Sequence, residues 1–269
     1  MNNIPVLSAT GNNIPEALEI ALVTLYKQGC MIKTQYDSSD IPSLDSTMLI
    51  TILDPLSEPM IHRDFPGGLG DLQEYVMEIL EGIKDHWITS KTWKYTYHKR
   101  LFGYETTAFN QVDQIKQIIE QLAKTPYTRR SQAITWKVLE DNNLDDPPCL
   151  QSIWCRIYDN TLNMNVRFRS NDAYKAAFMN IYSLVRLQEL IANQISKLID
   201  TEIKVGRYCH LADSFHIYGC NISEFENRFL GILNIRTFEE RTWKYENIKE
   251  IMDEAKPAIL RKCNARHKN

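Results

Sequence analysis

The segment from residue 151 to residue 198 constrains the fold most, because its hydrophobic period changes once along its length. Residues 151–158 and 162–168 alternate apolar and polar side chains, which predicts two strands joined by a tight turn at Asp159-Asn160. From residue 171 to residue 198 apolar residues recur at spacings of three and four, which predicts a long, largely buried helix. A hairpin followed by a buried helix favours helices packed on one face of a mostly antiparallel sheet.

The rest of the chain supports the same mixed class, α+β, around that sheet. Helices are predicted over about residues 15–29, 69–83, 112–122, 222–233 and 245–254, and strands over residues 48–53, 133–139 and 203–208. No repeat, low-complexity run or Gly/Ser linker interrupts this series, so we expect one domain over residues 1–269. A sheet with helices on one face leaves its other face to be covered, which favours a homodimer with the sheet faces paired.

Composition and charge argue against several classes of protein. Lys+Arg 31 against Asp+Glu 34 leaves a net charge of -3, so no general positive field would hold a nucleic acid polymer. The apolar runs are short and interrupted by charges, and the first residues do not form a signal peptide; we therefore expect a cytoplasmic protein without a membrane partner. The six cysteines lack the paired spacing of a zinc site, so we expect no metal and mostly buried thiols.

Cys149 is the candidate nucleophile. It follows a rigid Asp-Pro-Pro segment and stands where a strand is predicted to begin. A lone cysteine is more often a small buried hydrophobic residue, and it needs nearby cations to become a thiolate. The pairs Arg129-Arg130 and Arg169-Ser170 lie on either side of it along the chain and would cradle a phosphate. The alternative is that these arginines are solvated surface residues.

Further polar residues suit a nucleotide. The amide of Asn180 offers a donor beside an acceptor, which matches N3–H and O4 of uracil, whereas a carboxylate would suit cytosine. His216 and Tyr218 lie on the same side of a segment predicted to be extended, where both can bind one sugar hydroxyl. Each has a structural alternative, since Asn180 can cap a helix or be a satisfied core amide and a His-x-Tyr pair is more often structural.

The order and spacing of these motifs resemble the thymidylate synthases of the folate-dependent, cysteine-nucleophile type, and among them the archaeal-type branch. The resemblance covers about residues 128–219 and, in a more divergent form, about residues 14–109. It implies a single thymidylate-synthase-like domain that acts as a homodimer. It also implies conversion of deoxyuridylate (dUMP) to thymidylate (dTMP). A reduced pterin would donate both carbon and hydride, either 5,10-methylenetetrahydrofolate or a methanopterin-type analogue.

The resemblance implies roles for individual residues. Cys149 is similar to the cysteine that adds to C6 of the pyrimidine, which makes C5 nucleophilic. Asn180 matches the asparagine at the pyrimidine edge, and His216 and Tyr218 match the pair that binds the 3'-hydroxyl of the sugar. Asp172 matches the aspartate that hydrogen-bonds the pterin.

Phosphate binding is implied for residues of two subunits. Within one chain, Arg169 and Ser170 match phosphate ligands of the family. Arg129 and Arg130 match the arginine pair that reaches the partner's phosphate, so each site would be shared in a homodimer. The arginine-rich loop near the family's N-terminus has no clear counterpart, and its stand-in would be Lys33 or Arg63.

A carboxylate for proton transfer is expected on the helix over residues 69–83. The family uses a helical glutamate that orders water near O4 of the pyrimidine. Glu78, which precedes Ile79 and Leu80, resembles the family's Glu-Leu-Leu best, but an alignment on Gly82 would bring Glu74 close to that position. Tyr97 resembles the tyrosine that joins the same water network.

The chain departs from the family pattern mainly on the pterin side. Leu150 replaces a histidine that many members have, Lys175-Ala176 stands where Leu-Gly is usual, and residues 259–269 lack the apolar ending that closes over the ligands. A pyrimidine nucleotide (dUMP or dCMP) 5-hydroxymethyltransferase, in which water captures the exocyclic methylene, is therefore the alternative, and Asn180 argues against its cytosine version. A nucleotide-binding regulatory protein without turnover is a third hypothesis, which the presence of Cys149 disfavours.

Overall fold

The computed structural model describes residues 3–37, 41–105 and 111–265. The backbone divides into two compact units. Unit 1 comprises residues 1–67, 167–182 and 207–248, and unit 2 comprises residues 68–166, 183–206 and 249–269. The single domain over residues 1–269 stays a prediction.

Helices and strands alternate irregularly along the chain, as the mixed class requires. The helices are α1 Ile14–Gln28, α2 Leu69–Glu81, α3 His86–Thr89, α4 Tyr97–Phe102, α5 Gln114–Lys124, α6 Val138–Asp141, α7 Ala177–Ile199, α8 Ile222–Glu224, α9 Gly231–Ile235 and α10 Tyr245–Ala265. The strands are β1 Val6–Gly11, β2 Cys30–Ile32, β3 Ser43–Ile52, β4 Ile61–His62, β5 Gln132–Ile134, β6 Leu150–Tyr158, β7 Thr161–Phe168, β8 Asn171–Asp172, β9 Lys204–Ile217 and β10 Thr242–Trp243. A 3-10 turn (Gly219–Asn221) and a π-helical turn (Phe225–Leu230) flank α8.

In unit 1, strand β3 organises the sheet. It pairs in parallel with β1 and antiparallel with β2 and β9, and β8 adds to β9 in parallel. Helix α1 packs on β1 and β3 with a buried apolar face. The side chain of Asn13 caps this helix by accepting from the Glu16 amide. A Cβ at Gly11 would lie 2.4 Å from the Ala17 nitrogen, so glycine allows α1 to approach β1 this closely.

In unit 2, β6 lies between β5 and β7 in the sheet. The predicted turn between β6 and β7 is confirmed, and Asp159 and Asn160 have left-handed φ angles of 48° and 51°, which suits a two-residue hairpin turn. The unit 2 part of α7 buries the Gln188 amide, which donates to the carbonyl oxygens of Leu162 and Gly206. Helix α2 ends at Gly82, whose left-handed φ of 64° reverses the chain.

The predicted α+β class with a mostly antiparallel sheet is confirmed, but several element boundaries are wrong. The strand predicted over residues 133–139 ends at Ile134, and α6 follows it because the Asp141 carboxylate accepts from the Lys137 amide and closes a helical turn. The helix predicted from residue 171 begins at Ala177, because the Asp172 side chain accepts from the amides of Tyr174 and Lys175 and holds a turn there.

Two elements near the C-terminus are longer than the sequence predicts. Strand β9 continues to Ile217, because residues 209–217 pair with β3 although their hydrophobic alternation is weak. Helix α10 continues to Ala265 with Pro257 inside it. Long-range pairing in the first case and packing in the second outweigh local propensity.

Stability should depend on pH through His210, which is fully buried on β9. Its Nδ1 accepts from the Tyr208 hydroxyl and its Nε2 donates to Asn171 Oδ1, so the neutral ring is satisfied. Burial lowers the pKa of His210 from 6.5 to about 3. The folded state therefore disfavours protonation of His210. The contribution of the neutral ring to the stability of the folded protein is complete above pH 6.5 and is lost as the pH falls toward 3.

We expect the free energy of unfolding of the wild type to fall relative to that of His210→Gln by about 1.4 kcal/mol per pH unit below the unfolded-state pKa. Urea unfolding of both proteins between pH 7 and pH 4 measures this difference. A difference that does not change with pH would show that His210 binds a proton as readily in the folded protein as in the unfolded chain.

Candidate active site

Unit 2 contains a cavity of about 600 Å³ with polar and aromatic walls. Helix α2, the segment before α4 and the loop that precedes β6 form these walls. The lining residues are Tyr75, Glu78, Thr92, Trp93, Lys94, Tyr95, Thr96, Tyr97, Asn143, Leu144, Asp145 and Asp146. The cavity thus contains both residues predicted to move protons, Glu78 and Tyr97.

The ionisable groups of this cavity are strongly perturbed. Burial, together with the neighbouring charges of Glu78, Tyr95 and Cys149, raises the pKa of Tyr75 well above its ordinary value. Burial likewise raises the pKa of Tyr97 well above 10, so both phenols are neutral donors at physiological pH. Burial also raises the pKa of Glu78, and the attraction of Lys84 only partly offsets it. A carboxyl group whose pKa is raised toward neutrality can both take and return a proton.

Cys149 lies at the start of β6, next to this cavity. Its thiol is half-buried, and its charge contributes to the raised pKa values of Tyr75 and Tyr97. The amide of the following residue, Leu150, donates to the Tyr97 hydroxyl oxygen at 3.3 Å. The Thr135 hydroxyl donates to the Leu150 carbonyl oxygen and ties β6 to the residue after β5. In unit 2, Glu78 and Tyr97 therefore line one cavity, and Cys149 precedes the residue whose amide donates to Tyr97.

Glu74 and Glu78 occupy different environments, one helical turn apart on α2. The side chain of Glu78 is buried and lines the cavity. The side chain of Glu74 pairs with Lys84 and with Lys262 of α10. Of the two glutamates that the sequence leaves open, Glu78 is the one that lines the cavity.

Arg129 and Arg130 lie in the segment between α5 and β5, and both are exposed. The Arg129 carbonyl oxygen accepts from the Trp154 indole at 3.0 Å, and the Arg130 amide donates to the Thr128 hydroxyl. These contacts hold the backbone, and both residues are exposed. Arginines at the surface are suited to reach an anion outside their own unit.

Unit 1 places His216 between two carboxylates. Asp45 on β3 and Asp172 on β8 are its register partners on either side in the sheet. Ser214 donates to Asp45 Oδ2 at 2.8 Å, and the Ser214 oxygen lies 3.2 Å from His216 Nδ1. Because the Ser214 hydroxyl donates its hydrogen bond to Asp45, the serine oxygen accepts a hydrogen bond from Nδ1–H of His216. Burial raises the pKa values of both Asp45 and Asp172.

This arrangement leaves His216 Nε2 as an acceptor. The His216 side chain is 6% exposed, and among the described residues Nε2 is buried without a hydrogen-bond partner. The Tyr218 ring lies edge-on to the imidazole, with the ring centroids 4.7 Å apart. A buried acceptor beside a phenol fits a donor such as a hydroxyl group of a ligand.

The other sequence-predicted residues of unit 1 lie on adjoining segments. Arg169 and Ser170 are half-buried between β7 and β8, and Asp172 ends β8. Asn180 is buried on the first turn of α7, and its backbone N–H donates to the Ala176 carbonyl oxygen. The alternative phosphate cations differ: Lys33 is exposed, while the Arg63 guanidinium lies 5.1 Å from the Trp243 ring centroid and its Nε donates to the Thr242 carbonyl oxygen.

Sequence reasoning missed Asp45 and Lys84. Asp45 reaches the His216 network only through the β3–β9 pairing, and Lys84 reaches Glu78 only because the chain reverses at Gly82. A buried charge within an apolar strand pattern was the one available signal for Asp45. No signal in the sequence marked Lys84.

The fold matches that of a solved thymidylate synthase. The structure aligns with the thermostable thymidylate synthase A from Bacillus subtilis at a TM-score of 0.61, covering 81% of this chain and 84% of that chain with 17% sequence identity. This places the chain in the class of proteins with a thymidylate-synthase fold.

Sequence comparisons show the family. The model of the family "Thymidylate synthase" matches residues 70–257. A protein named "Putative thymidylate synthase" from Methanocaldococcus jannaschii is 30% identical over 211 residues, which cover 77% of this chain and 88% of that protein. A thymidylate synthase from Mycoplasma mobile is 28% identical over 208 residues, which cover 74% of this chain and 67% of that protein. The chain belongs to the thymidylate synthase family, a family of one-carbon transferases of dTMP biosynthesis, and the resemblance predicted from its motifs is confirmed.

No helix within residues 3–37, 41–105 and 111–265 is both long enough and apolar enough to cross a membrane. Within the same ranges, no group of three or more His, Cys, Asp or Glu side chains could hold a metal ion.

Proposed function

We propose that the protein is a thymidylate synthase that reductively methylates dUMP to dTMP. The observation that carries this proposal is the unit 2 cavity, which Glu78 and Tyr97 line, with Cys149 next to the residue that hydrogen-bonds Tyr97, in a chain that belongs to the family. A half-buried thiol, neutral phenols and a carboxyl group of raised pKa are the groups that covalent activation of a pyrimidine requires.

The reaction begins when Cys149 Sγ bonds to C6 of dUMP, which places the electron pair at C5 and O4. Carbon C5 attacks the methylene group of 5,10-methylenetetrahydrofolate or a methanopterin-type analogue, and a base removes the C5 proton. Glu78, through water, exchanges the proton at O4, with Tyr97 in the same network. After the pterin nitrogen leaves, the pterin donates a hydride to the exocyclic methylene, and expulsion of Cys149 releases dTMP and the dihydropterin.

The residues of unit 1 are proposed to recognise the substrates. Asn180 would donate to O4 and accept from N3–H of the uracil ring. His216 Nε2 would accept from the 3'-hydroxyl group, with Tyr218 beside it. Asp172 would hold the pterin. Its raised pKa suits a carboxyl group that can share a proton with a ring nitrogen.

The phosphate is proposed to bind arginines of two subunits. Arg169 and Ser170 would bind it from the same chain, and Arg129 and Arg130 would reach the phosphate of the partner. The exposure of this second pair on unit 2 supports that role. A homodimer, a cytoplasmic location and the absence of a metal belong to the same proposal.

The hydroxymethyltransferase is the second candidate function, because residues expected near the pterin depart from the family pattern. Lys175, which stands where the family usually has leucine, is charged, and its Nζ lies 2.6 Å from Glu224 Oε2. A more polar neighbourhood would admit the water that competes with hydride for the exocyclic methylene.

Mass spectrometry of the nucleotide product separates these functions. Incubation of dUMP with 5,10-methylenetetrahydrofolate is expected to give a methyl product with the wild type and none with Cys149→Ala. A hydroxymethyl product would establish the second candidate instead. If folate gives no product, the methanopterin-type donor is tested in the same assay, and failure with both donors would contradict the proposed function.

Replacing Asn180 tests recognition of the base. We expect Asn180→Asp to lower kcat/KM for dUMP by about tenfold to a hundredfold, because a carboxylate cannot donate to O4 and a buried polar contact is lost. The variant should gain measurable turnover of dCMP, whose amino group can donate to the carboxylate. Asn193→Asp, an exposed position on the same helix, is the control. Unchanged preference in Asn180→Asp would exclude Asn180 from the pyrimidine site.

A further inference from the structure

Four charged side chains of alternating sign connect helix α10 to the wall of the cavity. Lys262 Nζ lies 2.8 Å from Glu74 Oε2. Lys84 Nζ lies 2.9 Å from Glu74 Oε1 and 2.8 Å from Glu78 Oε2. The order is therefore Lys262, Glu74, Lys84, Glu78, and the last of these faces the cavity.

The position of Lys84 is determined by its surroundings. The chain reverses at Gly82, where a Cβ would lie 2.3 Å from His98 Nδ1, and so returns Lys84 toward α2. The Lys84 ammonium lies 5.4 Å from the Trp87 ring centroid and 5.2 Å from that of Trp93. Contacts of a cation with two indole rings limit its position, so its hydrogen bonds to the carboxylates cost little further ordering.

Helix α10 holds Lys262 in register with α2. Ile259 and Cys263 of this helix are buried in an apolar cluster with Met77 and Trp87. The Trp87 indole nitrogen also donates to the Cys263 carbonyl oxygen at 3.3 Å. Lys262 lies between these two anchored positions, so its pairing with Glu74 follows from the docking of the helix.

The two carboxylates compete for one ammonium group. Burial raises the pKa of Glu74, but hydrogen bonds from Lys262 and Lys84 outweigh burial and hold that pKa below its ordinary value. Burial lowers the pKa of Lys84, but Glu78 and Glu74 outweigh burial and raise it. Lys84 is therefore a permanent cation. How strongly its ammonium group interacts with Glu78 depends on how far Lys262 neutralises the charge of Glu74.

We propose that Lys84 is a positioning residue for the Glu78 carboxyl group, and that Lys262 of α10, by pairing with Glu74, keeps Lys84 available to Glu78. The proposal rests on the proposed function, in which Glu78 exchanges the proton at O4. It gives the C-terminal helix a role in the chemistry although residues 259–269 lack the usual apolar ending. Residues 266–269 lie outside the described part of the chain.

Other titratable groups also face Glu78 or its cavity. They are Tyr75, Asp85, Lys94, Tyr95, Tyr97, Asp145 and Asp146. All of them stay unchanged in the variants below. A shift in the titration of Glu78 therefore measures the effect of Lys262, Glu74 or Lys84 on this carboxyl group.

The test measures titration of Glu78 in two ways. One is the pH dependence of kcat for release of tritium from C5 of dUMP, in which Glu78→Gln identifies the limb that Glu78 causes. The other is carbon-13 NMR of the Glu78 carboxyl carbon in the enzyme without substrate, assigned by its loss in Glu78→Gln. The second readout needs no turnover, so it distinguishes failure of this inference from failure of the proposed function.

The variants are expected to shift Glu78 in opposite directions. Lys84→Met removes the attracting cation and should move its titration up by on the order of one pH unit, and Lys262→Met should move it up by less. Glu74→Gln removes a competing anion and should move it down. Arg261→Met, an exposed neighbour on α10, should leave it unchanged.

A merely structural role would not produce shifts of opposite sign. If Lys84→Met fails to fold, Glu74→Gln and Lys262→Met still test the proposal, because Lys262 is exposed and Glu74 only half-buried. Titration of Glu78 at the same pH in the wild type, Glu74→Gln and Lys262→Met would overturn the proposal, whether or not the wild type turns over dUMP.

Discussion

Replacing Cys149 with serine is expected to abolish thymidylate synthesis, with kcat for release of the C5 proton lowered by about a thousandfold or more. A thiol forms its nucleophilic anion far more readily near neutral pH than a serine hydroxyl does. Without the bond from residue 149 to C6, C5 has no electron pair to attack the carbon donor. Tritium release from C5 and the mass of the nucleotide product measure the loss.

The matched control is a thiol on β6, the strand that follows Cys149. Cys155 is fully buried, and burial raises its pKa to about 12, so it cannot serve as a nucleophile at neutral pH. Cys155→Ala should therefore keep kcat within a few-fold, provided that the protein folds. Full turnover by Cys149→Ser would contradict covalent activation at C6 and with it the proposed function.

The sequence predicts the features of the fold and of the site that depend on a local pattern of residues. The amphipathic spacing of α2 gives the helix that bears Glu78, and the Pro-Pro segment before β6 places Cys149 at the start of a strand. The two-residue turn at Asp159-Asn160 follows from residues that tolerate left-handed φ angles. These features depend on neighbours in the chain, which a periodicity argument can detect.

Features that depend on distant pairing could not be predicted in this way. The acceptor character of His216 Nε2 depends on Ser214 and Asp45, and Asp45 is brought there by the pairing of β3 with β9. The environment of Glu78 depends on Lys84. Through Glu74 it also depends on Lys262, which lies far from α2 along the chain. In both cases the hydrogen bonds join residues that no local pattern relates.

The largest effect on stability is expected from the buried pair of Arg100 and Asp141. Arg100 Nη2 lies 2.6 Å from Asp141 Oδ1 and Arg100 Nη1 lies 3.1 Å from Asp141 Oδ2, with Arg100 5% and Asp141 0% exposed. Arg100 is on α4 with Tyr97, and Asp141 ends α6 just before the loop to Cys149. The pair thus supports two elements of the cavity.

Asp141→Ala should destabilise the protein by about 3–5 kcal/mol, because it leaves the guanidinium buried without its carboxylate. The Lys137 amide, which donates to Asp141 Oδ2 at 2.7 Å, would also lose its acceptor. Urea unfolding measures the change as a lower midpoint with an unchanged slope.

An exposed ion pair provides the comparison that separates desolvation from charge. Asp213→Ala removes the partner of Arg167, whose side chain is 57% exposed, and should cost only about 0–1 kcal/mol because water screens both charges. The double variant Arg100→Met/Asp141→Leu should recover most of the loss of Asp141→Ala, since an apolar pair needs no counterion. Equal effects of Asp141→Ala and Asp213→Ala would mean that water reaches the Arg100 guanidinium. The rigidity of the cavity wall would then have to come from the packing of α4 against α2, α5 and β5.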